Sequence, residues 1–186
     1  MFHQTLLIAT LLLPAANALW PIPRTLVNGT TLLKLSSNFN IHVNVARAPQ
    51  DLVNAVTRTQ GYLRNDKLGR LVVGRGSSDS SGFTTAESLS SLTISLAEGS
   101  GPALPIATEA IKPIGTRDES YSLTVPADGS GAVLVANSTL GLFRGLSTFD
   151  QLWYEFGGVV YTTIAPINIE NDAPAYVGVL NSCRFH

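Results

Sequence analysis

The pattern of apolar and polar positions is clearest from Ser138 to Trp153. Leu142, Leu146, Phe149 and Trp153 recur there at helical spacing and share one face. Ser138 stands where an N-cap belongs, its hydroxyl free to accept an orphan amide of the first turn. Gly141 and Gly145 fall on the same face. A glycine inside a helix costs stability, so its expected use is close approach to another backbone. A second helix is predicted over Gln50–Arg64, opened by Pro49, with Leu52, Val56, Thr59 and Leu63 on one face and Asn65-Asp66 closing it.

Alternation of period two marks the strands. In Phe39–Val45 the residues Phe39, Ile41, Val43 and Val45 face a core and His42 faces away. Leu33 and Leu35 read as part of a preceding strand, with a turn at Asn38. Leu71-Val-Val73, between Gly69 and Gly74, reads as a short buried strand. Leu92–Leu96 is another. Tyr121–Val125 and Ala132–Val135 form a hairpin across Pro126-Ala-Asp-Gly129-Ser-Gly131, in which Asp-Gly is the strongest turn signal. Val159–Tyr161 and Ile167–Ile169 read as two short strands separated by Pro166. The predicted class is α+β, a mostly antiparallel sheet with two helices packed on one face.

Composition narrows the function. The 186 residues are 45% apolar and only 13% charged, with net charge −1. Globular domains carry about a quarter charged residues, so Ser, Thr and Asn must do much of the solvation here. Neither a basic patch for nucleic acid nor an acidic run is present. Leu6–Leu13 is a short apolar run broken by Pro14, and Ala16-Asn-Ala18 fits signal cleavage. Residues 1–18 are therefore expected to be a signal peptide and the chain secreted. No later segment is long and apolar enough to span a membrane. Asn28-Gly-Thr30 and Asn137-Ser-Thr139 match the glycan acceptor pattern, so Asn28 and Asn137 are candidate glycosylation sites. A single cysteine, Cys183, gives no internal disulfide. Gly74–Gly82 is polar and glycine-rich. It lacks the third glycine of a dinucleotide loop, where Asp79 stands, and any Lys-Ser/Thr pair, so it reads as a linker or surface loop.

Gly141-Leu-Phe-Arg144-Gly-Leu-Ser-Thr-Phe149-Asp-Gln-Leu152 resembles the G-x-x-R-G-L-x-T-F-x-Q-L helix of β-N-acetylhexosaminidases, glycoside hydrolase family 20. Arg117-Asp-Glu-Ser-Tyr121-Ser-Leu-Thr-Val125 is similar to the family's D-E-S-Y-x-L-x-V strand. The Leu19-Trp-Pro-Ile-Pro23 opening, Leu71-Val-Val-Gly74, Tyr161, Ala165-Pro-Ile167 and Pro174-Ala-Tyr176 follow in the family's order. The series covers Leu19 to Tyr176 and is most like the secreted fungal members. The resemblance implies that residues 19–176 form the small non-catalytic α+β domain that precedes the catalytic barrel. After Tyr176 the family's active-site Arg-Gly is replaced by Val177-Gly178, and 177–186 reads as an aberrant tail where the barrel would begin.

The family's reaction is substrate-assisted hydrolysis, an exception to the usual pair of protein carboxylates. An Asp orients the substrate acetamide and the adjacent Glu protonates the leaving oxygen, both within the barrel. Asp118-Glu119 imitates that pair but sits at the start of a strand in the wrong domain, and reads as a surface or packing pair. Trp20 could stack on a sugar; Trp153 falls on an apolar helix face and reads as core. His3 is lost with the leader and His186 is terminal, which leaves His42 alone. No catalytic residue, cofactor or metal ligand is assigned. The expected partner is a hexosaminidase barrel, missing or separate, and the chain alone is expected to be inactive. Two further readings are a free-standing secreted module that associates with a full-length hexosaminidase, and a weak glycosidase in its own right.

Overall fold

The computed structural model describes residue 19, residues 22–69 and residues 74–171. The expected leader at 1–18, Trp20, the predicted strand Leu71–Val73, the Pro174–Tyr176 motif and the expected tail with Cys183 and His186 lie outside the described residues. In chain order the elements are β1 (Thr25–Asn44), α1 (Gln50–Asn65), α2 (Arg75–Asp79), β2 (Glu87–Leu96) and α3 (Ile106–Ala110). They continue with β3 (Tyr121–Val125), β4 (Ala132–Ala136), α4 (Thr139–Asp150), β5 (Tyr154–Phe156) and β6 (Val159–Asn171). The class is α+β. Among the described residues the sheet has six strands in the order β1-β2-β4-β3-β6-β5. It is mixed: β1–β2 and β2–β4 are parallel, and the other pairings are antiparallel.

The register aligns one row of side chains across the sheet: Leu26, Ile169, Leu123, Leu134, Ile94 and Val43. Successive side chains of a strand point to opposite faces, so this row shares a face. Helices α1 and α4 lie on it. Gly145 of α4 leaves room for Leu134, and Gly141 for the Ser120 carbonyl and Ala136. Phe149 stacks on Phe39 of β1 at 5.8 Å between ring centroids and tilts against Trp153 at 5.5 Å. Leu52, Val56 and Leu63 of α1 complete this core. On the opposite face Val27, Val133 and His42 are exposed.

β1 pairs with β6 through Thr25–Lys34 and with β2 through Leu33–Asn44, so it joins both sides of the sheet. The ring β1-β2-β4-β3-β6 contains three antiparallel joins. An odd number cannot close a plain barrel, because strand direction must return to itself after one circuit. β1 instead carries irregularities between its two sets of pairings, with register breaks between Asn28 and Thr31, Thr31 and Leu33, and Leu35 and Asn40.

This corrects the sequence reading at several points. The two strands expected either side of Asn38 are one bent strand, and the polar Ser36–Asn38 stretch is where its register with β2 slips. The two strands expected around Pro166 are likewise one strand, β6. Proline has no amide to give a ladder. It is accommodated because Pro166 lies opposite the Gly29–Thr30 irregularity of β1, beyond the end of β3 at Val125. Arg75–Gly82, expected as a loop, is helical, first α2 and then a 3-10 turn over Ser80–Gly82. None of its residues is buried, so no apolar period could announce it. Two short helices, α2 and α3, join the two expected ones.

Candidate functional site

The residues that chemistry would need converge at one end of the sheet, where β3 begins and β4 hands the chain to α4. Ser138 caps α4 as expected, accepting from the Gly141 amide at 2.9 Å. Its hydroxyl also donates to the Asp118 carbonyl, which ties the helix start to the approach to β3. Asp118 Oδ1 accepts from the Ser120 amide at 3.0 Å and from the Ser120 hydroxyl. This is an Asx turn, in which a short side chain satisfies backbone two residues on. Asp118 Oδ2 accepts from Asn137 Nδ2 at 3.1 Å. Partial burial pushes the Asp118 carboxyl up, but the hydrogen bonds from Ser120 and Asn137, with the Lys112 charge, together hold it below the usual carboxylate range.

Glu119 points the other way, into the fold. Its side chain is 8% exposed and accepts from Arg144 Nε at 2.8 Å. Arg144 lies on α4 between Gly141 and Gly145, so the ion pair fastens the helix layer to the sheet. Next to it Tyr121 and Thr148 share a buried hydroxyl contact of 2.6 Å, and burial raises the Tyr121 phenol. The arm before the site is also anchored. Thr139 Oγ1 donates to the Leu104 carbonyl at 2.6 Å, and Lys112 pairs with buried Glu109.

The Asp118-Glu119 pair expected to serve packing is therefore divided, with one carboxylate clamping a loop and the other holding a helix. Trp153 is buried, 3% exposed, in the core as expected. His42 is exposed on the outer face. Asn137 is exposed beside Asp118. Asn28 is exposed within the paired part of β1, far along the chain from that cluster. Among the described residues no group of three His, Cys, Asp or Glu side chains could hold a metal, and no helix is long and apolar enough to cross a membrane.

Sequence reasoning missed Arg144 as the partner of Glu119. The signal was present: an arginine in a helix that is otherwise apolar on that side needs a carboxylate, and Glu119 is at the strand it covers. It also missed Asp150 at the end of α4. Burial, helped by the Asp66 charge, pushes that carboxyl up to about 6.

The grooves around the cluster are shallow and polar. One of about 400 Å3 runs along Gly115–Ser120 to Asn137. Such a site holds elements together. The fold and this site define a small α+β domain in which carboxylates are committed to packing. The chain belongs to the family described as beta-acetyl hexosaminidase like, whose model matches residues 19–152. No curated protein sequence matches the chain. Among solved structures it is similar to the chitobiase of Flavobacterium johnsoniae, at 22% identity and a TM-score of 0.53, covering 84% of this chain and 20% of that one. It is also similar to the family 20 β-N-acetylhexosaminidase of Streptomyces coelicolor A3(2), at 21% identity and a TM-score of 0.48, covering 87% of this chain and 27% of that one. The chain thus spans a minor part of each solved relative.

Proposed function

We propose that this chain is the secreted, non-catalytic N-terminal domain of a β-N-acetylhexosaminidase of the fungal type, inactive alone. Its role is to support a separate or attached barrel that removes terminal N-acetylhexosamine residues from chitin oligosaccharides or glycans. The observation that carries this reading is the commitment of Glu119. A general acid must face the leaving oxygen, whereas the Glu119 side chain is buried and turned into the fold onto the Arg144 guanidinium. Asp118, the only neighbouring carboxylate in sequence, is held ionised by Ser120 and Asn137. The leader at 1–18 supports secretion, and the family match supports the domain assignment.

The test is turnover of a chromogenic N-acetyl-β-glucosaminide by the purified chain. No turnover is expected, and Glu119→Gln is expected to lower stability only. Turnover abolished by Glu119→Gln in a protein that still unfolds cooperatively would overturn the reading.

A further inference from the structure

We infer that Asn137 carries an N-linked oligosaccharide whose first sugars lie on the polar surface around Asp118, and that the modified amide is part of the clamp at the start of α4. The inference rests on the reading of the chain as secreted. Asn137 begins the acceptor tripeptide Asn137-Ser138-Thr139 and is exposed at the end of β4. Three grooves converge on it. One runs along Gly115–Ser120, about 400 Å3. A second of about 320 Å3 runs along Ser120, Ser122 and Glu170. A third of about 210 Å3 reaches Gly101, Lys112 and Thr116. Ser120, Ser122, Thr116 and the Asp118 and Glu170 carboxylates offer hydrogen-bond partners for sugar hydroxyls along these grooves.

The covalent step balances. The anomeric carbon of the first sugar leaves the phosphate oxygen of a lipid-diphosphate donor and bonds to Asn137 Nδ2. The nitrogen loses one proton, and the lipid diphosphate departs. One N–H remains on Nδ2, enough for the 3.1 Å bond to Asp118 Oδ2, while the longer 3.5 Å contact to Ser120 Oγ is given up. Thr139 adds an order to events. Its hydroxyl is bonded to the Leu104 carbonyl and the residue is 1% exposed, so a transferase that reads this hydroxyl must act before α4 packs. Asn28 has no comparable seat. It lies in the β1–β6 ladder, its amide turned back on the Gly29 carbonyl.

The experiment expresses the full chain in a glycosylating host twice, behind its own leader and, from residue 19, behind an established secretory signal. Peptide mass spectrometry of the second product is expected to find Asn137 occupied, with the glycan lost in Asn137→Gln. Trimming to the first sugar is expected to leave the melting temperature unchanged. Complete enzymatic removal converts the asparagine to aspartate beside Asp118 and is expected to lower it by several degrees at pH 7. An unmodified Asn137 in the secreted product overturns the inference. So does an unchanged melting temperature after complete removal. Retention of the first product inside cells, with the second secreted and occupied at Asn137, refutes native secretion and leaves the site standing.

Discussion

Arg144 and Glu119 show how a charge pair can hold layers together without doing chemistry. The pair is mostly dehydrated, with side-chain exposures of 27% and 8%. Removing one partner strands the other, which costs about 3–5 kcal/mol for fully buried pairs, and somewhat less here because Arg144 keeps some water. Arg144→Ala is therefore expected to lose about 2–3 kcal/mol in urea unfolding. The double variant Arg144→Met with Glu119→Leu should recover part of that loss, since apolar replacements leave no unpaired charge. Asp150 works in the opposite direction. Its folded pKa of about 6 lies above the ordinary aspartate value. The protonated form is favoured in the native state, so this contribution is complete in acid and is lost as pH rises through about 6. Asp150→Asn should stabilise the protein at pH 7.5 by about 1 kcal/mol, after allowance for partial exposure, and change little at pH 4. Asp118, held low, behaves as the usual carboxylate. Its contribution is present at neutral pH and fades on acidification. Thermal melts across pH 2–8 would separate the two, because the Asp118 contribution is lost only below its ordinary value of 3.8 and the Asp150 contribution is lost towards 6.

At the scale of the element, α4 carries the fold, because eight of its twelve residues are buried between the sheet and the other helices. Its two glycines are there for different reasons. A Cβ on Gly141 would stand 2.3 Å from the Ser120 carbonyl oxygen, whereas one on Gly145 would meet the Leu134 methyl at 2.2 Å. Backbone cannot yield as a side-chain tip can. Gly141→Ala should destabilise by roughly 2–3 kcal/mol despite the better helix propensity. Gly145→Ala should cost less and be rescued by Leu134→Ala, both readable by calorimetry. This element was legible in the sequence because its apolar period is long and its cap is a serine in the right place. The β3–β4 hairpin was legible through Asp128-Gly129, and Gly129 has the positive φ such a turn demands. The bend of β1 was half legible: Asn38 marked a change of direction, but whether a polar tripeptide ends a strand or bends one depends on what pairs on either side. β5 and α3 left no signal, being short and without a buried stripe of their own. Of the candidate site, the Asp118–Ser120 turn could be read locally, while the Glu119–Arg144 pairing depends on packing between distant segments.

The whole molecule presents an uneven surface. Ile111 and Ile114, 82% and 55% exposed, stand on the arm that leads to β3. Exposed isoleucines this close in sequence favour association when nothing covers them. Light scattering of the isolated chain is expected to show concentration-dependent assembly, and the Ile111→Ser, Ile114→Ser double variant to shift it toward monomer. The closed ring of strands has a different consequence, which concerns the order of synthesis. Thr25 pairs with Glu170, so among the described residues the earliest strand to leave the ribosome is completed by the latest. Until that strand emerges, the N-terminal half of β1 has no partner on that side and stays open to any other strand it meets. Contacts so distant along the chain form slowly, which makes a nascent chain halted before Val159 a natural client for chaperones.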